Sequence, residues 1–120
     1  MVVGWQKVEG ALIFIVSIGL FTYIDNGLSW WMALLIFFAP DLSFAGYLLK
    51  KKVGAFCYNF AHIYALGAVL FMIGITQNMP QLGAVGALWL GHSGFDRMLG
   101  YGLKTDEGFA FTHLGKIGKI

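Results

Sequence analysis

The run Gly83-Ala84-Val85-Gly86-Ala87-Leu88-Trp89-Leu90-Gly91-His92-Ser93-Gly94-Phe95-Asp96-Arg97 decides how this chain is read. Gly83 to Leu90 carry no charge, and then a histidine, an aspartate and an arginine arrive close together. Ionisable groups in hydrocarbon cost at least about 2.5–3.5 kcal/mol each on insertion scales, so they face a bundle interior or a wet cavity. The run therefore reads as a membrane span that carries a site.

The rest of the composition agrees. The 120 residues are 58% hydrophobic and only 12% charged, about half the charged fraction of an ordinary soluble domain. Mean hydropathy is +0.74. A formal charge of +2, with basic residues at the edges of apolar runs, argues against nucleic acid as a partner. Cys57 is the only cysteine, so no intrachain disulfide is possible.

Working outward, the expectation is a single all-α transmembrane domain over 1–120. Its four spans lie at about 4–24, 30–49, 53–76 and 82–103, with a tail from 104 to 120. The first apolar segment ends in Tyr23-Ile24-Asp25-Asn26 rather than a small-residue cleavage site, so it reads as an uncleaved span, with Glu9 near the interface. Trp30 and Trp31 stand where an aromatic belt is expected, and Pro40 predicts a kink in the second span. Gln77 to Gln81 form an uncharged polar turn. In the fourth span Gly83, Ala87 and Gly91 form a small-residue ridge suited to close helix approach, to a partner or in a homodimer. Lys7, Lys50 to Lys52, Lys104, Lys116 and Lys119 fall on one side of a four-helix bundle, which places both termini in the cytoplasm.

That topology fixes depth. Asp41, His62 and Asp96 lie eight to ten positions from the nearest basic flank, about 12–15 Å at 1.5 Å per residue. His92 and Asp96 are four apart and share a helix face, as do Asn59 and His62 at three apart. Asp41, His62 and His92, with His113 from the tail, are the expected ligands of a divalent metal such as zinc. His92, Asp96, Arg97 and Asn59 are the expected catalytic groups, with Asp96 orienting His92. A metal-free version would use His92 as base and Ser43 or water as nucleophile. The bland alternative is a buried polar network that fixes helix register.

Pro40-Asp41-Leu42-Ser43 with Gly46-Tyr47, Gly54-Ala55 with Tyr58-Asn59 and His62, Gly91-His92 with Gly94-Phe95-Asp96-Arg97, Gly100 to Lys104, and Thr112-His113-Leu114-Gly115 together resemble a family of small bacterial membrane proteins known only as a domain of unknown function. The resemblance implies four spans and marks Glu9, Asp41, Asn59, His62, His92, Asp96, Arg97 and His113. It implies no established reaction, and Thr105 stands where members commonly have tyrosine. A recurrent Thr112-His113 motif beyond the last span implies that the tail folds back over the bundle mouth.

Together these readings predict an integral protein of the bacterial inner membrane. Its expected activity is that of a hydrolase or lipid-modifying enzyme taking a lipid-like or small amphipathic substrate from the inner leaflet, with Arg97 holding an anionic headgroup. The alternatives are a small proton-coupled transporter, or a non-catalytic subunit docking through the Gly83, Ala87, Gly91 ridge.

Overall fold

A computed structural model describes residues 2–105 and 111–117 of the chain. Among them are five α-helices, α1 (Val2–Tyr23), α2 (Trp30–Phe38), α3 (Lys51–His62), α4 (Tyr64–Thr76) and α5 (Pro80–Leu99). A 3-10 helix (Ala39–Leu48) joins α2 to α3. The returning tail adds a two-residue antiparallel pair, β1 (Phe111–Thr112) and β2 (Gly115–Lys116).

The polar run quoted above lies in α5, which packs against both α1 and α4 and buries twelve of its residues. Gly10 and Gly94 make the first contact possible. A methyl group on Gly10 would lie 2.6 Å from the Gly94 carbonyl oxygen, and one on Gly94 would lie 2.7 Å from the Gly10 carbonyl oxygen. On the other flank a methyl on Gly74 would meet the Gly83 nitrogen. Glycine at these crossings lets two backbones come together where dispersion contacts, not exclusion from water, drive helix association. The expected ridge is thus occupied within the chain: Gly83 faces Ile24, Ile75 and Gly74, Ala87 is fully buried, and Gly91 faces Ser17 and Phe37. It is not available to an outside partner.

α1 and the α2–3-10 segment (Trp30–Leu48) are long and apolar enough to cross a membrane, and α3 with α4 makes a third crossing if the bent pair counts as one. Their outward faces carry Leu12, Ile15, Leu35, Phe56 and Phe60, all exposed, as a lipid-facing surface requires. α5 falls outside that set by composition, and its polar residues His92, Ser93, Asp96 and Arg97 lie inside the fold.

Three expected helices differ in detail. The second tightens from α to 3-10 geometry at Ala39, just before Pro40, and continues for ten residues, beyond the usual three or four. The third breaks at Ile63, whose extended backbone (φ −77°, ψ 148°) bends α4 from α3 by 44°. No proline causes this; groups on α5 compensate the carbonyls it frees, as described below. The last helix ends at Leu99 rather than Leu103, because Gly100 adopts φ +96° and the amides of Gly100 and Tyr101 turn back onto the carbonyls of Arg97 and Asp96.

Candidate metal centre

Three chain segments meet beside the middle of α5. Asp41 comes from the first turn of the 3-10 helix, His62 from the last residue of α3, and His92 and Asp96 from successive turns of α5. With three residues per turn, the 3-10 segment stacks Asp41 and Phe44 on one side, and both line the same cavity.

The break after His62 is held by α5. Trp89 Nε1 donates to the Ala61 carbonyl at 2.7 Å, and Arg97 Nη2 donates to the His62 carbonyl at 2.7 Å. In a continuous helix those carbonyls would accept amides one turn later. Their capture by side chains lets the chain turn away directly after His62, leaving its imidazole facing α5.

The donor atoms converge on one point. His62 Nε2 lies 3.2 Å from His92 Nε2, 3.2 Å from Asp41 Oδ1 and 3.3 Å from Asp96 Oδ2. His92 Nε2 lies 3.0 Å from Asp41 Oδ1 and 3.4 Å from Asp96 Oδ2. All four donors lie within 4.8 Å of one another, a group that can hold a metal ion. Atoms bound at about 2.0–2.2 Å are separated by about 3.3–3.6 Å in a tetrahedral shell and about 2.8–3.1 Å at neighbouring octahedral positions. The observed distances span both.

The tautomer of His62 sharpens this point. Its Nδ1 lies 2.8 Å from the Tyr58 carbonyl oxygen, which can only accept, so Nδ1 carries the hydrogen. In the neutral ring Nε2 then presents a bare lone pair to two carboxylate oxygens and a second imidazole. One proton can bridge two of these four atoms, whereas a cation at the centre faces all of them. A backbone carbonyl fixing the far nitrogen is the usual support of a metal-binding histidine. Among the described residues His92 lacks such an anchor: its Nδ1 is buried without a hydrogen-bond partner there, and Phe37 and Phe38 pack edge-on against the ring.

Buried and exposed faces differ. Both imidazoles are sealed, the Asp96 side chain is 10% exposed, and that of Asp41 is 50% exposed. Asp41 therefore marks the open side. A cavity of about 350 Å³ adjoins it, lined by Asp41, Phe44, Tyr58, Asp96, Tyr101, Lys104 and Ile117. Tyr58 stacks on His62 with ring centroids 3.8 Å apart, donates its hydroxyl to Asp96 Oδ2 at 3.2 Å, and carries the Lys104 ammonium 4.6 Å above its ring. Burial lowers the Lys104 pKa to about 8, against the opposing pull of Asp96 and Asp41.

The other expected residues are placed differently. Asp96 does not orient His92 through the far nitrogen; its oxygen faces Nε2, which makes it a member of the donor set. Arg97 is buried and gives its guanidinium to the carbonyls of His62 and Tyr101, over the ring of Tyr64, rather than to a headgroup. Asn59 grips the Lys104 backbone at both ends, donating to its carbonyl at 2.8 Å and accepting from its amide at 2.5 Å. The tail returns, as Lys104 bridges to Thr112 and the His113 amide donates to the Leu103 carbonyl. His113 stands outside the four donors, its Nδ1 accepting the Leu103 amide at 2.8 Å, and burial lowers its pKa. Ser43 Oγ has no hydrogen-bond partner among the described residues and lies off the face shared by Asp41 and Phe44. Glu9 is exposed on α1. Tyr58, and Lys104, which read from sequence as a flanking charge, belong to the site; the spacing signal for Tyr58 was its four-residue separation from His62.

A family model described as a domain of unknown function (DUF4260) matches residues 4–117. No curated protein and no solved structure matches the chain.

Proposed function

The chain belongs to the DUF4260 family, a domain of unknown function, and we propose that it is a membrane-embedded, metal-dependent hydrolase or related lipid-modifying enzyme. The observation that carries this reading is the convergence of His62 Nε2, His92 Nε2, Asp41 Oδ1 and Asp96 Oδ2, next to a cavity that reaches the least buried of them. Two imidazole nitrogens and two carboxylate oxygens suit zinc, manganese or ferrous iron.

A divalent ion in this group would lower the pKa of a bound water and polarise the bond to be cut. Asp41, with its half-exposed side chain, borders the side from which water and substrate reach the ion. His62 is fixed by the Tyr58 carbonyl and so keeps its lone pair directed inward. Phe37 and Phe38 keep bulk water from His92.

The bundle is proposed to span the bacterial inner membrane four times, with both termini and the cavity on the cytoplasmic side. The lysine distribution supports this orientation. So does the contact at one end of the bundle, where a methyl group on Gly100 would lie 3.2 Å from Lys7 Cε. The substrate is then a lipid-like or small amphipathic molecule from the inner leaflet.

The test is hydrolysis of a panel of chromogenic short-chain carboxylic and phosphoric esters by the full-length protein in liposomes. Zinc- or manganese-loaded protein is expected to turn over at least one of them, with activity lost on chelation and in His62→Asn. Turnover insensitive to chelator and to that variant would overturn the reading.

A further inference from the structure

Counting charge around the cavity points to what it receives. Among the described residues, Asp41 and Asp96 bring two negative charges to it, and Lys104 and the buried Arg97 two positive ones. A divalent cation among the four donors would add two positive charges to this group, beside two imidazoles that are sealed from water. Excess charge of that kind is costly unless an anion matches it. A carboxylate would offset half of it; a dianionic phosphate monoester would offset all.

The placement of Lys104 fits the same ligand. It is 5% exposed, its backbone is clamped on both sides by Asn59, and its ammonium lies 4.6 Å over the ring of Tyr58, which in turn bonds to Asp96. Lys104 thus lines the same cavity as Asp41 and Asp96, the two carboxylates of the donor set. A tetrahedral oxyanion has oxygens enough to meet the ammonium and the ion at once, and lysine serves phosphate as a point charge. Phe44 and Ile117 give the remaining wall an apolar surface.

We propose that this cavity binds a phosphoryl group, carried by a lipid or by a soluble ester, with Lys104 as the cation that holds it beside the ion. The inference rests on the metal-dependent reading above and names its substrate class. Lys104 sets specificity; it is not a ligand of the ion.

The test is calorimetric titration of full-length protein in detergent. Mn²⁺ is titrated first, and then inorganic phosphate, dihexanoyl phosphatidate and, as control, octanoate are titrated into the Mn²⁺-loaded protein. Wild type is expected to bind Mn²⁺ and then phosphate or phosphatidate, in preference to octanoate. Lys104→Met should keep or tighten Mn²⁺ binding, having lost a repelling charge, and weaken phosphoryl binding roughly tenfold or more, as losing a charge-assisted contact implies. Lys104→Arg, which keeps the charge, should bind the phosphoryl probe more tightly than Lys104→Met and controls for folding. Phosphatidate binding well above phosphate assigns the group to a lipid, and equal binding to a soluble ester; both support the proposal. Equal phosphoryl binding by wild type and Lys104→Met with Mn²⁺ in place, or preference for octanoate, overturns it while leaving the metal site intact. Failure of wild type to bind Mn²⁺ overturns the metal reading itself, and this inference with it.

Discussion

His62 Nε2 and His92 Nε2 face each other at 3.2 Å, although their residues are thirty positions apart and sit on different helices. In its neutral form the His62 ring, bonded through Nδ1 to the Tyr58 carbonyl, presents a lone pair there, and the Asp41 and Asp96 oxygens crowd the same space. Such an arrangement of acceptors is unfavourable unless protons are shared among them, two atoms at a time, or a cation lies between all four. The consequences reach beyond the four side chains, because the break that aims His62 is itself held from α5.

Arg97 is the principal clamp on that break. Removing its side chain in Arg97→Met leaves the carbonyls of His62 and Tyr101 without their donor. Hydrogen bonds to charged groups contribute about 1.5–3 kcal/mol each, so a loss of roughly 3–6 kcal/mol is expected for the two. Thermal or denaturant unfolding in detergent should show the drop, with a smaller loss for Arg97→Lys. A wild-type midpoint for Arg97→Met would mean that the break stands without it.

Helix approach gives a paired test. Gly10→Ala places a methyl group 2.6 Å from the Gly94 carbonyl and 2.7 Å from Arg97 Cβ, contacts that only a backbone shift relieves. Overpacking of this sort costs about 1–3 kcal/mol. Gly4→Ala on the same helix meets nothing within 4 Å and should be neutral or stabilising by up to about 1 kcal/mol through helix propensity. Unfolding midpoints that fail to separate the two would contradict the close α1–α5 crossing.

Lys104 predicts a pH dependence with a definite sign. Burial brings its folded pKa to about 8, below the ordinary 10.5, while Asp96 and Asp41 pull in the opposite direction. Between those two values the unfolded chain holds a proton that the folded chain has released, so stability should rise with pH across that window. Unfolding midpoints at a series of pH values should show the rise in wild type and a flatter profile in Lys104→Met. A fall over the same window in wild type would contradict the burial of the ammonium.

Much of this was legible in the sequence, for physical reasons. The cost of placing His92, Asp96 and Arg97 in an apolar run pointed to a site, and equal distances from basic flanks brought Asp41 and His62 to the same layer. Both inferences use only residue type and helical rise. What stayed hidden depends on tertiary compensation. Nothing local announces the break at Ile63, because its freed carbonyls are satisfied by Trp89 and Arg97 from another helix. Arg97 consequently read as a headgroup ligand, when its work lies inside the fold. Lys104 read as a flanking charge because its burial is created by Asn59 and the returning tail. His113 does return with that tail, but its ring is taken by the Leu103 amide.

The most direct test of the central claim is metal content. Full-length protein purified in detergent, equilibrated with zinc and separated from excess by gel filtration, would be analysed by mass spectrometry of the elements beside a His62→Asn/His92→Asn double variant. About one zinc per chain is expected in the wild type, and essentially none in the variant. A wild-type protein without stoichiometric metal, or a variant that retains as much, would contradict the account.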